Sequence, residues 1–293
     1  MAQIVRTISR DGGVVCSAID STDIAAEAER IHKTSATVTA ALGRLLTAGS
    51  LMGSMLKKKE ESITLRLSGG GPAGLLLVVS DGEGNVRGTV DNPVVEIPLN
   101  SYGKLDVAGA VGREGTLSVV KDLGLKDPYV GQVPIVSGEI AEDITHYYAV
   151  SEQIPTVCAL GVLVNPELTV RAAGGFLVQL LPGATEEEIT RLEENVKALP
   201  AISKMIDSGM TPEAIAKKVL AGFEPEVLDR FEVGYRCDCS RRRVERALIS
   251  IGREDLEKLA EEQEETEVCC HFCDKRYRFT AGDLKALLAS AQK

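Results

Sequence analysis

The chemistry in this sequence is concentrated in its cysteines. Cys237-Asp238-Cys239 is followed, after residues 240–269, by Cys270-His271-Phe272-Cys273. Two close pairs of thiolates match a tetrahedral Zn²⁺ site, because each pair supplies two soft ligands from one tight turn. The plainer alternative is four reduced cysteines filling a small core. His271 lies between two of the cysteines, but four thiolates already complete a structural tetrahedron. Zinc ribbons commonly use two Cys-x-x-Cys knuckles and a shorter gap, so the Cys-x-Cys half is unusual.

That half suggests a second chemistry. Cysteines two residues apart on an extended strand point to one face, with Cα atoms ~6.5 Å apart, towards the upper limit for a disulfide. A bridge there needs a bend and is strained, and strained bridges tend to be the labile, regulatory ones. The two chemistries differ in topology. A metal ion ties residue 237 to residue 273, whereas local bridges 237–239 and 270–273 leave the halves unconnected. Oxidation to local bridges would remove the cross-link that organises a tail too small to hold itself together.

The elements around these cysteines fall into three stretches. Up to residue 181 the chain reads as strands joined by glycine turns. Ser62–Leu67 alternates with period two, Leu75–Val79 reads as a more buried strand, and Asp81-Gly82-Glu83-Gly84-Asn85 signals a hairpin into Val86–Val90. Further strands are expected at 115–120, 129–137, 157–164 and 168–181, with helices near 22–32, 35–57 and 139–151. The second of these helices is capped by Thr34 or Ser35. Segregated helices and many short strands predict an α+β fold, a strand-rich core with helices over 1–181.

After Pro182-Gly183 the pattern turns helical. Thr185-Glu186-Glu187-Glu188 has the form of a capping box, and Ile189, Leu192, Val196 and Leu199 follow at helical spacing up to Pro200. Thr211-Pro212 opens another helix, with Ile215, Val219 and Leu220 on its apolar face and Gly222 at its end. Residues 182–226 are thus a helical linker that needs a surface to pack on, since short helices are marginal alone. Residues 227–293 form a small C-terminal metal-binding domain. Its arginines (Arg236, Arg241, Arg242, Arg243, Arg246) surround the first cysteine pair, and an acidic run from Glu254 to Glu267 precedes the second.

Composition narrows the function classes. Hydrophobic residues make up 44% and charged residues 26% of 293, an ordinary globular balance that excludes a disordered chain. Aromatics are only 4%, with no Trp, so the core rests on aliphatic residues. A net charge of −10 argues against a non-specific nucleic-acid binder, whose counterion release needs a basic surface. No apolar run approaches the ~20 residues of a membrane span, and Arg10 and Asp11 stand where a signal peptide would be apolar. The expected location is the cytoplasm, where thiols stay reduced and the cysteines are not a disulfide scaffold.

Other candidates have structural readings. Gly69-Gly70-Gly71-Pro72 follows a strand but lacks the Gly-Lys-Ser/Thr ending of a phosphate loop, so it is read as a tight strand connection. His32 and His146 lack metal-pair or triad spacing. Cys16 and Cys158 fall in predicted strands and read as core residues. The acidic run is read as a solvated helix face.

The sequence resembles the 33 kDa chaperonin family, the redox-regulated heat-shock holdases of bacteria. The likeness spans essentially the whole chain through Ala41-Leu42-Gly43-Arg44, Gly69-Gly70-Gly71-Pro72, Gly103-Lys104-Leu105-Asp106, Gly115-Thr116-Leu117, Gly174-Gly175-Phe176 and the two terminal cysteine pairs. The resemblance implies one zinc ion held by Cys237, Cys239, Cys270 and Cys273, and an α+β substrate-binding core with a helical linker and a C-terminal redox switch. It implies a non-catalytic, ATP-independent chaperone for unfolding client proteins under oxidative stress, activated by disulfide formation with zinc release and dimeric when active. Cys269, next to Cys270, shifts the register of possible pairing. Two rival readings follow from the residues: a zinc-ribbon module binding nucleic acid or a transcription partner, favoured by the arginines, and a thiol-disulfide oxidoreductase using Cys270 and Cys273. The second lacks the strand-then-helix context of a thioredoxin-like site.

Overall fold

A computed structural model describes residues 2–290. Met1 and residues 291–293, at the ends of the first and last predicted domains, lie outside the described residues. The chain divides into two compact units, Met1–Arg236 and Cys237–Lys293. In chain order the first unit begins with strands β1 (Ala2–Ile8) and β2 (Val14–Asp20) and helices α1 (Thr22–His32) and α2 (Ala36–Gly53). Strands β3 (Ser62–Ser68), β4 (Leu76–Asp81) and β5 (Val86–Val90) follow, then α3 (Val107–Val111), β6 (Thr116–Asp122) and β7 (Tyr129–Pro134). Helix α4 (Ala141–Tyr147) runs into a π-helical turn, Tyr148–Glu152, and strands β8 (Thr156–Val164) and β9 (Val170–Leu180) come next. Helices α5 (Glu186–Ala198), α6 (Ile202–Asp207) and α7 (Pro212–Val219) lead to β10 (Glu226–Val233).

The strands form two five-stranded antiparallel sheets, ordered β10-β1-β2-β9-β8 and β5-β4-β3-β6-β7. Helix α2 packs against strands of both. Its sequence explains this position: from Thr37 to Gly53 every residue except Arg44 is buried, as befits a helix that is apolar all round. Glycines let the strands close in. A Cβ at Gly49 would lie 2.6 Å from Val78 Cγ1, and one at Gly53 would lie 2.7 Å from the Asp81 carbonyl oxygen. Buried hydroxyls of α2 find partners: Ser50 donates to the Gly84 carbonyl at 2.7 Å, and Thr47 bonds Ser21 at 2.7 Å. Ser35 occupies the N-cap position of α2, but its hydroxyl bonds the Val95 backbone instead of capping the helix.

The first sheet is covered on both faces. Along β2, Ile19 enters the core shared with α2, whereas Val14, Cys16 and Ala18 enter a second core on the other side. Alternation along a strand makes this division. Helices α5–α7 supply the rest of the second core through Leu192, Ile202, Met205, Ile206, Ile215, Val219 and Leu220. The surface that 182–226 needs is therefore the outer face of this sheet. Gly161 and Gly174 let α6 approach: a Cβ at either would lie 2.8 Å and 2.2 Å from Ile202 Cγ2 and Ile206 Cδ1. Full burial of Ile215, Val219 and Leu220 contributes roughly 1.5–3 kcal/mol each. The helix starts have the expected caps. Thr185 Oγ1 accepts from Glu188 N, Glu188 Oε2 accepts from Thr185 N at 2.7 Å, and Thr211 Oγ1 accepts from Ala214 N at 3.2 Å.

Two local readings differ from the sequence-based expectation. Residues 227–233, read as the start of the tail, form β10 with Glu226 and pair with β1. The following residues are also held in the first unit, because Val86 N donates to the Gly234 carbonyl at 3.0 Å and Arg236 N donates to the Val86 carbonyl at 2.8 Å. The predicted helix over 139–151 is broken in character, α-helical only to Tyr147. The glycine run at 69–71 joins β3 to β4 and closes on the backbone of residues 110–112, where Gly71 N donates to the Val111 carbonyl. Among the described residues no helix is long and apolar enough to cross a membrane.

Candidate metal centre

The second unit contains helices α8 (Arg241–Ser250) and α9 (Arg253–Glu262), a hairpin of β11 (Glu265–Cys269) and β12 (Arg276–Thr280), and α10 (Ala281–Ser290). The acidic run is thus divided between a helix and a strand. Its core consists of Val244, Leu248, Leu256, Ala260, Tyr277, Phe279 and Leu284. A core this small leaves a domain of this size only marginally stable on its own.

The two cysteine pairs sit in different settings. Cys237 and Cys239 precede α8, whose N-cap Ser240 accepts from Arg243 N at 3.3 Å. Cys270 and Cys273 lie in the turn between β11 and β12. Cys270 N donates to the Lys275 carbonyl and Asp274 N to the Cys270 carbonyl, both at 2.9 Å. Asp274 closes the turn with φ +57°, a left-handed conformation Asp tolerates better than most residues.

The fold brings Cys237, Cys239, Cys270 and Cys273 together, with all four Sγ atoms within 4.8 Å of one another. Cys237 and Cys270 are 3.7 Å apart, and Cys239 and Cys273 are 3.3 Å apart. A tetrahedron with metal–sulfur arms of ~2.3 Å has edges of ~3.8 Å, so the spacing fits one four-coordinate ion. Donor chemistry fits as well. Four thiolates at this distance repel, by ~4 kcal/mol per pair at an effective dielectric of 20, and a cation at their centre relieves this. Burial raises Cys237 despite the Cys239 backbone N–H beside it, and burial raises Cys273 to about 11. Cys239 goes the other way: burial raises it, but donation from the Tyr277 hydroxyl and the neighbouring thiols outweighs this and lowers it.

The four cysteines singled out from sequence are those the fold assembles. Cys269 lies on β11, exposed and outside the group. His271 is exposed and is not part of it either. Arginines near the first pair bond acidic neighbours: Arg243 bonds Asp238, and Arg241 reaches Asp283 at 3.1 Å and Glu245 at 3.3 Å. Sequence reasoning missed Tyr277, whose hydroxyl donates to Cys239 Sγ at 3.1 Å. The available signal was the period-two run Arg276-Tyr277-Arg278-Phe279, which sends both aromatics inward. In the first unit, Cys16 is a buried core thiol and Cys158 a half-buried one packed against the core, and burial pushes Cys158 up to about 12.

A model of the Hsp33 protein family matches residues 2–280. The chain belongs to the Hsp33 family. It is 48% identical to the 33 kDa chaperonin of Geobacillus kaustophilus over 99% of this chain and 98% of that protein. Identity to the 33 kDa chaperonin of Clostridioides difficile is also 48%, over 97% and 98% of the two chains. The crystal structure of the 33 kDa chaperonin (heat shock protein 33 homolog) of Thermotoga maritima superposes with a TM-score of 0.90 at 40% identity, covering 98% of each chain. Membership of this family makes the protein a chaperone, with an α+β fold and a C-terminal cysteine group able to hold a metal ion.

Proposed function

We propose that the protein is a redox-regulated, ATP-independent holdase that binds unfolding proteins in the cytoplasm and protects them from aggregation under oxidative stress. The observation that carries this reading is a group of four sulfurs closing a unit whose own core is very small. In the reduced state Cys237, Cys239, Cys270 and Cys273 hold one Zn²⁺, which supplies on the order of 10–16 kcal/mol of cross-linking to a domain of this kind. The domains that carry the function are the core 1–181, the linker 182–226 and the tail, for which the first cysteine is the natural start.

Oxidation pairs Cys237 with Cys239 and Cys270 with Cys273. Each bridge forms as two thiolates give up two electrons. Hydrogen peroxide accepts them together with two protons from solvent, its O–O bond breaking to leave two waters. Both bridges are local, so they consume the four donors, release the ion and leave the two halves of the tail unconnected. The tail then unfolds. It drags on residues 234–236 and, through them, on β10, which directly follows the linker, and loosening of 182–226 uncovers apolar surface such as Ile215 and Val219 for clients. The active form is a homodimer, and no catalytic residue is needed.

The test is zinc and thiol titration alongside suppression of client aggregation, before and after peroxide treatment. Zinc release, loss of four thiols and the onset of suppression should run together. Full suppression by the reduced, zinc-loaded protein would contradict the reading.

A further inference from the structure

The Tyr277 hydroxyl contacts a sulfur of the cysteine group without belonging to the donor set. It lies 3.1 Å from Cys239 Sγ, on a side chain 8% exposed, held by β12 in the core of the second unit. Its ring carries the Lys275 ammonium at 5.4 Å from the centroid. A cation over a phenol ring draws density from the oxygen and makes the O–H a better donor. Because the ring is packed among Val244, Leu248 and Phe279, the hydroxyl is delivered to the sulfur by a rigid element. Cys239 takes the Tyr277 hydroxyl as a donor. The Cys-x-Cys half gives Cys237 the backbone N–H of Cys239, and the turn of the second pair gives Cys273 that of Lys275.

We propose that Tyr277 is a positioning residue for the metal centre: its O–H···S bond fixes the Cys239 thiolate and withdraws charge from it, so that the ion is retained more firmly. This rests on the zinc-binding reading above. Partners of this kind, one shell out from the ion, fix ligand orientation, and their loss typically lowers metal affinity about 10–100-fold. Removing the hydroxyl should also raise the energy of the sulfur lone pair, an electronic effect that lost packing does not produce.

The experiment uses the full chain, wild type and Tyr277→Phe, loaded with Co²⁺ as a spectroscopic probe and with Zn²⁺ in competition with a chromophoric chelator. Phe fills the same space, so a merely structural tyrosine would leave the cobalt spectrum in place. The expected result is a shift of the thiolate-to-cobalt charge-transfer band to lower energy and a loss of zinc affinity of about tenfold or more. An unchanged band and affinity would overturn the inference while leaving the metal site intact. A wild-type protein that binds neither ion would overturn the metal site itself. Should Tyr277→Phe not fold, global fluorotyrosine labelling gives a second measurement. It makes each phenol a stronger donor, and the band should move to higher energy; no movement would overturn the inference.

Discussion

Tyr235 Oη donates to the Gly88 carbonyl at 2.9 Å, two positions before the first cysteine of the tail. The Gly88 N–H returns a bond to the same hydroxyl at 3.3 Å, and His32 Nε2 lies 2.9 Å from the same carbonyl. The segment entering the tail is thereby pinned to β5. Removing the hydroxyl in Tyr235→Phe should cost about 1 kcal/mol of first-unit stability. A urea unfolding curve followed by far-ultraviolet circular dichroism checks this, and an unchanged midpoint would show that the pin is not needed.

Replacing any one of Cys237, Cys239, Cys270 or Cys273 by Ser should abolish tight zinc binding, whereas Cys269→Ser should not, because Cys269 stands outside the cluster. Metal analysis of the purified reduced variants decides this. Equal zinc loss in Cys269→Ser would mean that the second pair has been assigned in the wrong register.

Ile215 is fully buried between α7 and the first sheet. Ile215→Ala should cost about 2–5 kcal/mol of local packing. The reduced protein should then show some client capture without oxidation, because the linker starts out loosened. Light scattering of an aggregating client, with reduced wild type as reference, reads the effect; no gain would separate linker packing from activity.

Client capture that depends on apolar surface should not fall steeply with moderate salt, given a protein of net charge −10. Aggregation suppression across a salt series tests this. A steep loss would favour the nucleic-acid-type reading of the tail arginines.

Alkylation separates the remaining thiols. Burial raises the Cys16 thiol and raises Cys158 to about 12, so the thiolate fraction of both at neutral pH is very small. In the oxidised native protein Cys269, which is exposed, should react fast, and Cys16 and Cys158 slowly. Mass spectrometry of the alkylated peptides gives the order. Rapid labelling of Cys16 would mean that the core opens on oxidation.

What the sequence revealed was mostly local. The Thr185 capping box, the Thr211-Pro212 start and the two cysteine pairs each depend on residues a few positions apart, and each is found where the spacing puts it. Strand β10 was not legible, because Glu226–Val233 is a polar edge strand whose only warrant is pairing with β1 at the far end of the chain. Ser35 reads as a cap because its sequence context is that of one, yet the Val95 backbone competes for its hydroxyl. Tyr277 escaped notice because nothing in a hydroxyl four residues past Cys273 announces that the hairpin folds it back onto Cys239.

Hydrogen exchange of the reduced, zinc-loaded protein against the peroxide-oxidised protein tests the central claim most directly. Protection should collapse over 237–290 and fall over 182–226, while the two sheets and α2 keep theirs. Full protection over 182–226 in a preparation that already suppresses aggregation would contradict the proposed coupling between the cysteines and the linker.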